Sequence, residues 1–380
     1  MDFDFSDEQT LLKDQLDRLL ADRYGFEERK RAMASPEGFS AEMWARYAEM
    51  GLMALPFAED DGGIGGGPVE TMIVAEAFGR VLALEPWMTT VITGGGFVRL
   101  AGSAAQRAAL IPEIASGALK LAFAHTERHS RFDLNIVEST AKRDGGGWLL
   151  SGHKSVVHDG ASADKFFVTA RTAGSRRDAG GIGVFLVDAH APGVTRRGYP
   201  TQDGRRAAEL SLDNVAIDAE AVFGDSENGL SLVHAVVDQT IAALCAEAVG
   251  VMEAMQKLTV DYLKVRKQFG MPIGAFQALQ HRAVDMFTAT EQSRSMAYLA
   301  AMMADDDEAT ERAKSLHAAK AEIGRNGRAV GESAIQLHGG VGMTAEYAVG
   351  AYFKRMTMID VAFGDSDHHV GRLAEMGGLF

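Results

Sequence analysis

Cysteine is nearly absent: Cys245 stands alone in 380 residues, so no internal disulfide can form. Its Ala-rich helical surroundings suit a small buried hydrophobe in a reducing cytoplasm. Positive charge is also short, with 38 Lys and Arg against 52 Asp and Glu and a net charge of -14. Neither nucleic acid nor an anionic membrane would be attracted by such a field, so neither is expected as a partner. The start, Met1-Asp2-Phe3-Asp4-Phe5, lacks the basic and apolar regions of a leader, and no uninterrupted apolar run is expected to cross a bilayer. The expectation is a soluble, untargeted, cytoplasmic protein without membrane insertion. No H-E-x-x-H or Cys-paired histidine spacing occurs. The adjacent His368 and His369 would diverge by about a hundred degrees on a helix, a poor arrangement for chelation, and no metal site is expected. Internal repeats and low-complexity linkers are missing as well.

What is present can fill a large core, since 47% of the residues are hydrophobic, and the length suits two or three domains. Ser6-Asp7-Glu8-Gln9 has the form of a capping box, followed by Leu11, Leu12, Leu16, Leu19 and Leu20 at helical spacing. Helical patterns continue through Glu42–Met53, Glu70–Val81 and Ala104–Ser116. From about Lys120 the runs become short and strand-like: Leu121–Thr126, Trp148–Ser151, Lys165–Thr172, Gly183–Val187 and Glu209–Leu212. Long helical periodicity resumes through Leu232–Val265, Ala278–Ala304 and Ala309–Leu337. The chain therefore reads as an N-terminal α-helical domain (1–119), a middle β barrel or sandwich (120–228) and a C-terminal four-helix-bundle domain (229–380).

Three constellations carry chemistry. Glu247 lies on an apolar helix face, its neighbours at three and four residues being Ala243, Leu244, Gly250 and Val251. None of them can neutralise it. An ionised carboxylate there should have a raised pKa, the condition of a general base near neutrality, unless it reaches a cation elsewhere in the fold. Arg266-Lys267-Gln268-Phe269-Gly270 could close a helix as an ordinary C-terminus, or offer an Arg to a pyrophosphate. Gln336-Leu337-His338-Gly339-Gly340-Val341-Gly342 could be a helix end with its loop, though its glycines favour close backbone approach to a ligand. The glycine-rich Asp60–Gly67 has no preceding strand and no Lys-Ser/Thr ending, and is expected to be a loop.

Together, these motifs and the helix, sheet, helix order resemble the acyl-CoA dehydrogenase family over essentially the whole chain. Within that family, the sequence is most similar to small subunits of pimeloyl-CoA dehydrogenases and to bacterial dehydrogenases of dicarboxylyl or steroid side-chain thioesters. The resemblance implies FAD as cofactor, an acyl-CoA as substrate and electron-transfer flavoprotein as electron acceptor. It also implies a homotetramer, or a heterotetramer with a related subunit. Carried over residue by residue, His125 and Thr126 match the first flavin-contacting β segment. Arg266, Phe269 and Gln277 match the Arg-x-x-Phe-Gly and following Gln that hold a neighbouring subunit's FAD, and Gln336, Gly339 and Gly340 match Gln-x-x-Gly-Gly. Where many members have Trp-Ile-Thr, this chain has Val156-Val157-His158, so the flavin-shielding indole is lost. The family's C-terminal Tyr-Glu-Gly-Thr-Ser run has no counterpart in Ala362–Asp367. Some relatives place the base on the first long bundle helix, which points to Glu247, with Asp365 or Asp367 in reserve.

Two functions follow as expectations. In the first, Glu247 removes the proton α to the thioester while flavin N5 accepts the β hydride, giving a trans-2-enoyl-CoA. In the second, the chain is a cofactor- or substrate-binding subunit of a heteromeric dehydrogenase, incomplete alone. An oxidase or flavin monooxygenase on the same scaffold would differ in its reactivity with oxygen.

Overall fold

The computed structural model describes residues 4–377; Met1, Asp2 and Phe3 of the acidic start lie outside them. Their packing groups the chain into two compact units. One comprises Met1–Arg31, Pro68–Ala83 and Ile241–Phe380, and the other Ala32–Gly67 and Leu84–Thr240.

The first unit is helical. The capping box forms at Ser6: Gln9 N donates to Ser6 Oγ at 3.2 Å and Ser6 N to Gln9 Oε1 at 3.0 Å. It starts α1 (Asp7–Arg23), which is followed by α2 (Phe26–Ala34). Later in the chain, α4 (Pro68–Val81) packs against α7, whose 36 residues run from Leu230 to Val265 and enter this unit at Ile241. The α4–α7 crossing is backbone on backbone. A Cβ on Gly79 would lie 2.1 Å from the Glu247 carbonyl oxygen, and one on Gly250 would lie 2.0 Å from that of Glu76. Only glycine permits that approach. Outside the crossing, Arg80 pairs with Asp17 and Glu76 at 2.8 and 2.9 Å, and Arg294 with Glu76 at 2.8 Å. These pairs tie α1 and α4 to α8 (Gln277–Met303). The unit is completed by α9 (Ala309–His338), α10 (Val349–Val361) and α11 (Ser366–Glu375).

The second unit holds α3 (Ala41–Glu49), α5 (Gly95–Ala101), α6 (Ala104–Ala115) and a mixed eight-stranded sheet. Its strands are β1 (Leu121–Ala124), β2 (Thr140–Asp144), β3 (Gly147–His158), β4 (Lys165–Arg171), β5 (Ile182–Asp188), β6 (Val194–Pro200), β7 (Arg206–Ile217) and β8 (Val222–Phe223). The order is β6-β7-β3-β2-β4-β5-β8, with β1 parallel to β4. Trp148, Leu150, Phe166, Val168, Phe185, Val187, Leu210 and Leu212 fill one core against it. Burial of each such side chain is worth about 1.5–3 kcal/mol. N-terminal helices, a middle β domain and C-terminal helices thus follow one another in the expected order.

Among the described helices, α7 is long and apolar enough by length and composition to cross a membrane, but 89% of its most apolar stretch is buried inside the protein, as in a core helix.

Candidate functional site

The residues expected to meet a cofactor fall into two groups, one on each unit. In the sheet unit, β1 runs from Ala124 into His125, Thr126 and Glu127. Ser155 N donates to the Thr126 carbonyl at 2.8 Å, joining this segment to β3. Beneath it lies a buried ion pair: Lys154 Nζ, with its side chain fully enclosed, donates to Glu127 Oε1 at 2.6 Å, to Thr169 Oγ1 at 3.2 Å and to the His125 carbonyl at 3.5 Å. Glu127 also accepts from the backbone of Glu138 and Ser139 and from the Ser139 hydroxyl. Burial opposes the Glu127 charge, but Lys154 and Ser139 outweigh it and hold the carboxyl below its ordinary range. For Lys154 burial prevails, and its ammonium is pushed down despite the pull of Glu127. A charge so enclosed persists only with partners on every side.

His125 stacks on Phe123 with ring centroids 4.6 Å apart, and its Nε2 lies 3.1 Å from Thr126 Oγ1. Burial, then Lys154 and His158, push its pKa down to about 3. The imidazole is therefore neutral at physiological pH. Val156, beside it on β3, is 40% exposed and has φ of +51°, the left-handed region that a β-branched residue avoids. The Thr126–Ser155 bond and the charge interaction of His125 with His158 put His125, Thr126 and the Val156–His158 stretch of β3 in one region of the sheet unit.

In the helical unit, Arg266 to Pro272 form a hairpin where a plain helix end was one expectation. Strand β9 (Lys267–Gln268) pairs with β10 (Met271–Pro272), and both turn residues, Phe269 at φ +54° and Gly270 at φ +82°, are left-handed. Two positive φ angles are what a tight two-residue hairpin turn requires. Phe269 is 88% exposed, with its ring edge-on to Phe276 at 6.1 Å. Arg266 is exposed, and Gln277 is exposed at the start of α8. The C-terminal end of α9 reaches the same end of the unit: the His338 ring lies 4.6 Å from that of Tyr262, one turn before Arg266. There α9 stops at Gly339, φ +59°, whose N–H returns to the Gln336 carbonyl. A Cβ on Gly339 or Gly340 would meet nothing within 4 Å, so open space adjoins this backbone. An exposed guanidinium, an amide, an aromatic ring and uncovered glycine backbone fit the phosphates and adenine of FAD.

Glu247 differs from expectation. Its carboxylate is not stranded: Arg355 Nε donates to Oε1 and Nη2 to Oε2, both at 2.7 Å, and Glu247 is only 1% exposed. Helical spacing around Glu247 carries no trace of Arg355, which is 108 residues away on α10. A bidentate guanidinium favours the ionised carboxylate and occupies both its oxygens, so the inferred free, poorly solvated base is corrected to a paired one. The reserve acids also separate. Asp365 caps α11, accepting from His368 N at 2.9 Å, whereas Asp367 is exposed in its first turn. In the sheet unit, the adjacent Arg205 and Arg206 are both engaged: Arg205 lies 3.8 Å from Asp159, and Arg206 donates to the Ser35 carbonyl at 2.9 Å. Among the described residues no group of three or more His, Cys, Asp or Glu could hold a metal.

Three family models cover nearly the whole chain: the acyl-CoA dehydrogenase N-terminal domain matches residues 6–118, the middle domain 122–215 and the C-terminal domain 227–377. The chain belongs to the acyl-CoA dehydrogenase family. It is an oxidoreductase acting on acyl-CoA, in a family of FAD proteins. An acyl-CoA dehydrogenase of Bacillus subtilis is 30% identical over 324 residues, 83% of this chain and 84% of that one. The solved Tcur3481–Tcur3483 steroid ACAD is 29% identical, covers 97% of both chains and superposes with a TM-score of 0.88. The FAD complex of PigA is 24% identical over the full length of both chains, with a TM-score of 0.91, and shares the fold.

Proposed function

We propose that this chain is the FAD-holding subunit of a dehydrogenase that converts an acyl-CoA to its trans-2-enoyl-CoA, and that its active assembly draws the proton-abstracting base from a residue other than Glu247. The observation that carries this reading is the Glu247–Arg355 ion pair, set in a chain that keeps most of the candidate cofactor contacts while lacking the shielding indole. Proton abstraction by Glu247 would require Arg355 to let go of a carboxylate with no solvent to replace it, a cost of several kcal/mol.

Bound FAD supplies the hydride acceptor. Around it, Thr126, neutral His125 and the Val156–His158 segment, with Val156 exposed, orient the ring end. Arg266 and Gln277 grip the phosphate and adenine end of a neighbouring subunit's cofactor, with Phe269, Gln336, Gly339 and Gly340 completing the surface. An unlike-subunit tetramer, with reoxidation by electron-transfer flavoprotein in the cytoplasm, fits this division of labour; the joined chain names of the steroid ACAD support it. Among monocarboxylyl, dicarboxylyl and steroid side-chain thioesters, the likeness to the steroid ACAD supports the steroid side chain. A second reading, in which this chain carries its own base, rests on Asp367, which is exposed and not used as the α11 cap.

The test compares the purified chain, alone and with its co-purified partner, for bleaching of the flavin by acyl-CoA. Bleaching should need the partner and survive Glu247→Gln. A chain that bleaches alone and stops on Asp367→Asn supports the second reading. One that bleaches alone and stops on Glu247→Gln, with FAD retained, restores Glu247 as the base and defeats the proposal.

A further inference from the structure

Strand β3 is out of step with β7 at two places, between Leu150 and Gly152 and between Lys154 and Val157, and the second lies in the candidate cofactor segment. Lys154 faces Leu210 and Val157 faces Ala208, so Ser155 and Val156 together oppose the single residue Glu209. Two residues against one is a β-bulge, and bulges re-aim the backbone beside functional sites. Val156 bears the strain with its positive φ. Left-handed backbone at a β-branched residue persists only where its surroundings over-determine it.

Those surroundings are specific. The Tyr199 hydroxyl, on β6, donates to Glu209 Oε1 at 3.3 Å and interacts electrostatically with the Val156 backbone. Ser155, the other bulged residue, acts on the same carboxylate through its side chain. On its other oxygen, Glu209 meets His153 Nε2 at 2.7 Å, and His153 Nδ1 lies 3.0 Å from Ser211 Oγ. Burial raises the Glu209 pKa, but His153, Ser155 and Tyr199 outweigh it and hold the carboxyl below its ordinary range. One acceptor therefore gathers His153 and Ser155 of β3 and the β6 tyrosine, which in turn faces Val156.

We infer that Glu209 and Tyr199 are positioning residues: they lock the Ser155–Val156 bulge so that the Val156–His158 backbone is presented to the cofactor. This role rests on the FAD reading above. Neither residue needs to touch the ligand, because each acts through the shape of β3. Sequence spacing gives no hint of it, since the three residues involved sit on three strands.

The experiment uses the full-length chain and two readouts. Hydrogen exchange is followed without FAD over residues 153–158, and FAD affinity is titrated separately. Glu209→Ala should speed exchange over 153–158 at least about tenfold, leaving β4 and β5 unchanged, and should weaken FAD binding about tenfold, the factor that left-handed strain of this size implies. Tyr199→Phe, which removes only a hydroxyl, should move both readouts in the same direction. Glu209→Gln keeps an acceptor for Tyr199 and should lie near the native chain. Val156→Gly added to Glu209→Ala should restore FAD affinity, because glycine holds a positive φ without support. Native exchange over 153–158 in both Glu209→Ala and Tyr199→Phe overturns the lock. Equal FAD affinity in native and Glu209→Ala chains overturns the positioning role alone. A native chain that takes up no FAD overturns the cofactor reading and the role together, while exchange still reports whether the bulge is held.

Discussion

Arg355 holds both oxygens of Glu247 at once, Nε on Oε1 and Nη2 on Oε2, each at 2.7 Å. The pair joins α10 to α7 inside the helical unit, and it sits one turn from the Gly250 end of the glycine crossing. Breaking a buried pair leaves one charge uncompensated, which costs more than the pair contributes when intact. Arg355→Met should therefore destabilise the chain by about 3–5 kcal/mol. The double variant Glu247→Leu with Arg355→Met should recover most of that loss. Urea denaturation of the three chains checks this; a double variant no better than the single one would show that the cost comes from packing.

The glycine crossing makes a sharper prediction. Gly79→Ala or Gly250→Ala drives a methyl group to within 2.1 or 2.0 Å of a main-chain oxygen on the facing helix. Backbone cannot turn aside as a side chain can, so each should cost about 1–3 kcal/mol. Once one replacement has pushed α4 and α7 apart, the second should cost less, because the two share one contact. Thermal melts of the two single variants and the double variant read this non-additivity.

At Phe269 the outcome should split between stability and binding. Its positive φ is unfavourable for any residue with a Cβ, by about 1–2 kcal/mol, and 88% of its surface is exposed. Phe269→Gly should leave the melting midpoint unchanged or slightly raised while weakening FAD retention. Gel filtration followed by flavin absorbance measures the retention.

The pH dependence follows from Glu127. Its folded carboxyl lies below the ordinary 4.5, so the stability it adds is present above that ordinary value and is lost as pH falls through the lower folded one. Acid titration of urea stability should show this loss. In Glu127→Gln with Lys154→Met, where neither group titrates, the acid limb should be shallower.

Much of the architecture was legible because its signals are local. The capping box at Ser6, the periodicity of α7 to α9 and the strands around Phe166 and Phe185 each declare themselves within a dozen residues. Elements lacking such signals went unread, among them the short β2, the mostly exposed β6 and the π-helical stretch Met88–Gly94. At the candidate site, the family motifs singled out His125 and Thr126 as matches and Val156 as a departure, but the partners that fix these residues come from distant strands. Glu247 shows the limit clearly. Helical spacing identified a buried carboxylate, and no pattern along α7 could reveal a guanidinium 108 residues later.

Cys245 is fully enclosed in α7, and burial pushes its thiol up to about 12. As the thiolate is the reactive form, the native chain is in effect blank to maleimides and iodoacetamide. A cysteine placed at the exposed tip of the β9–β10 hairpin would then be the one position to take a dye or spin label, with no need to engineer the native thiol away.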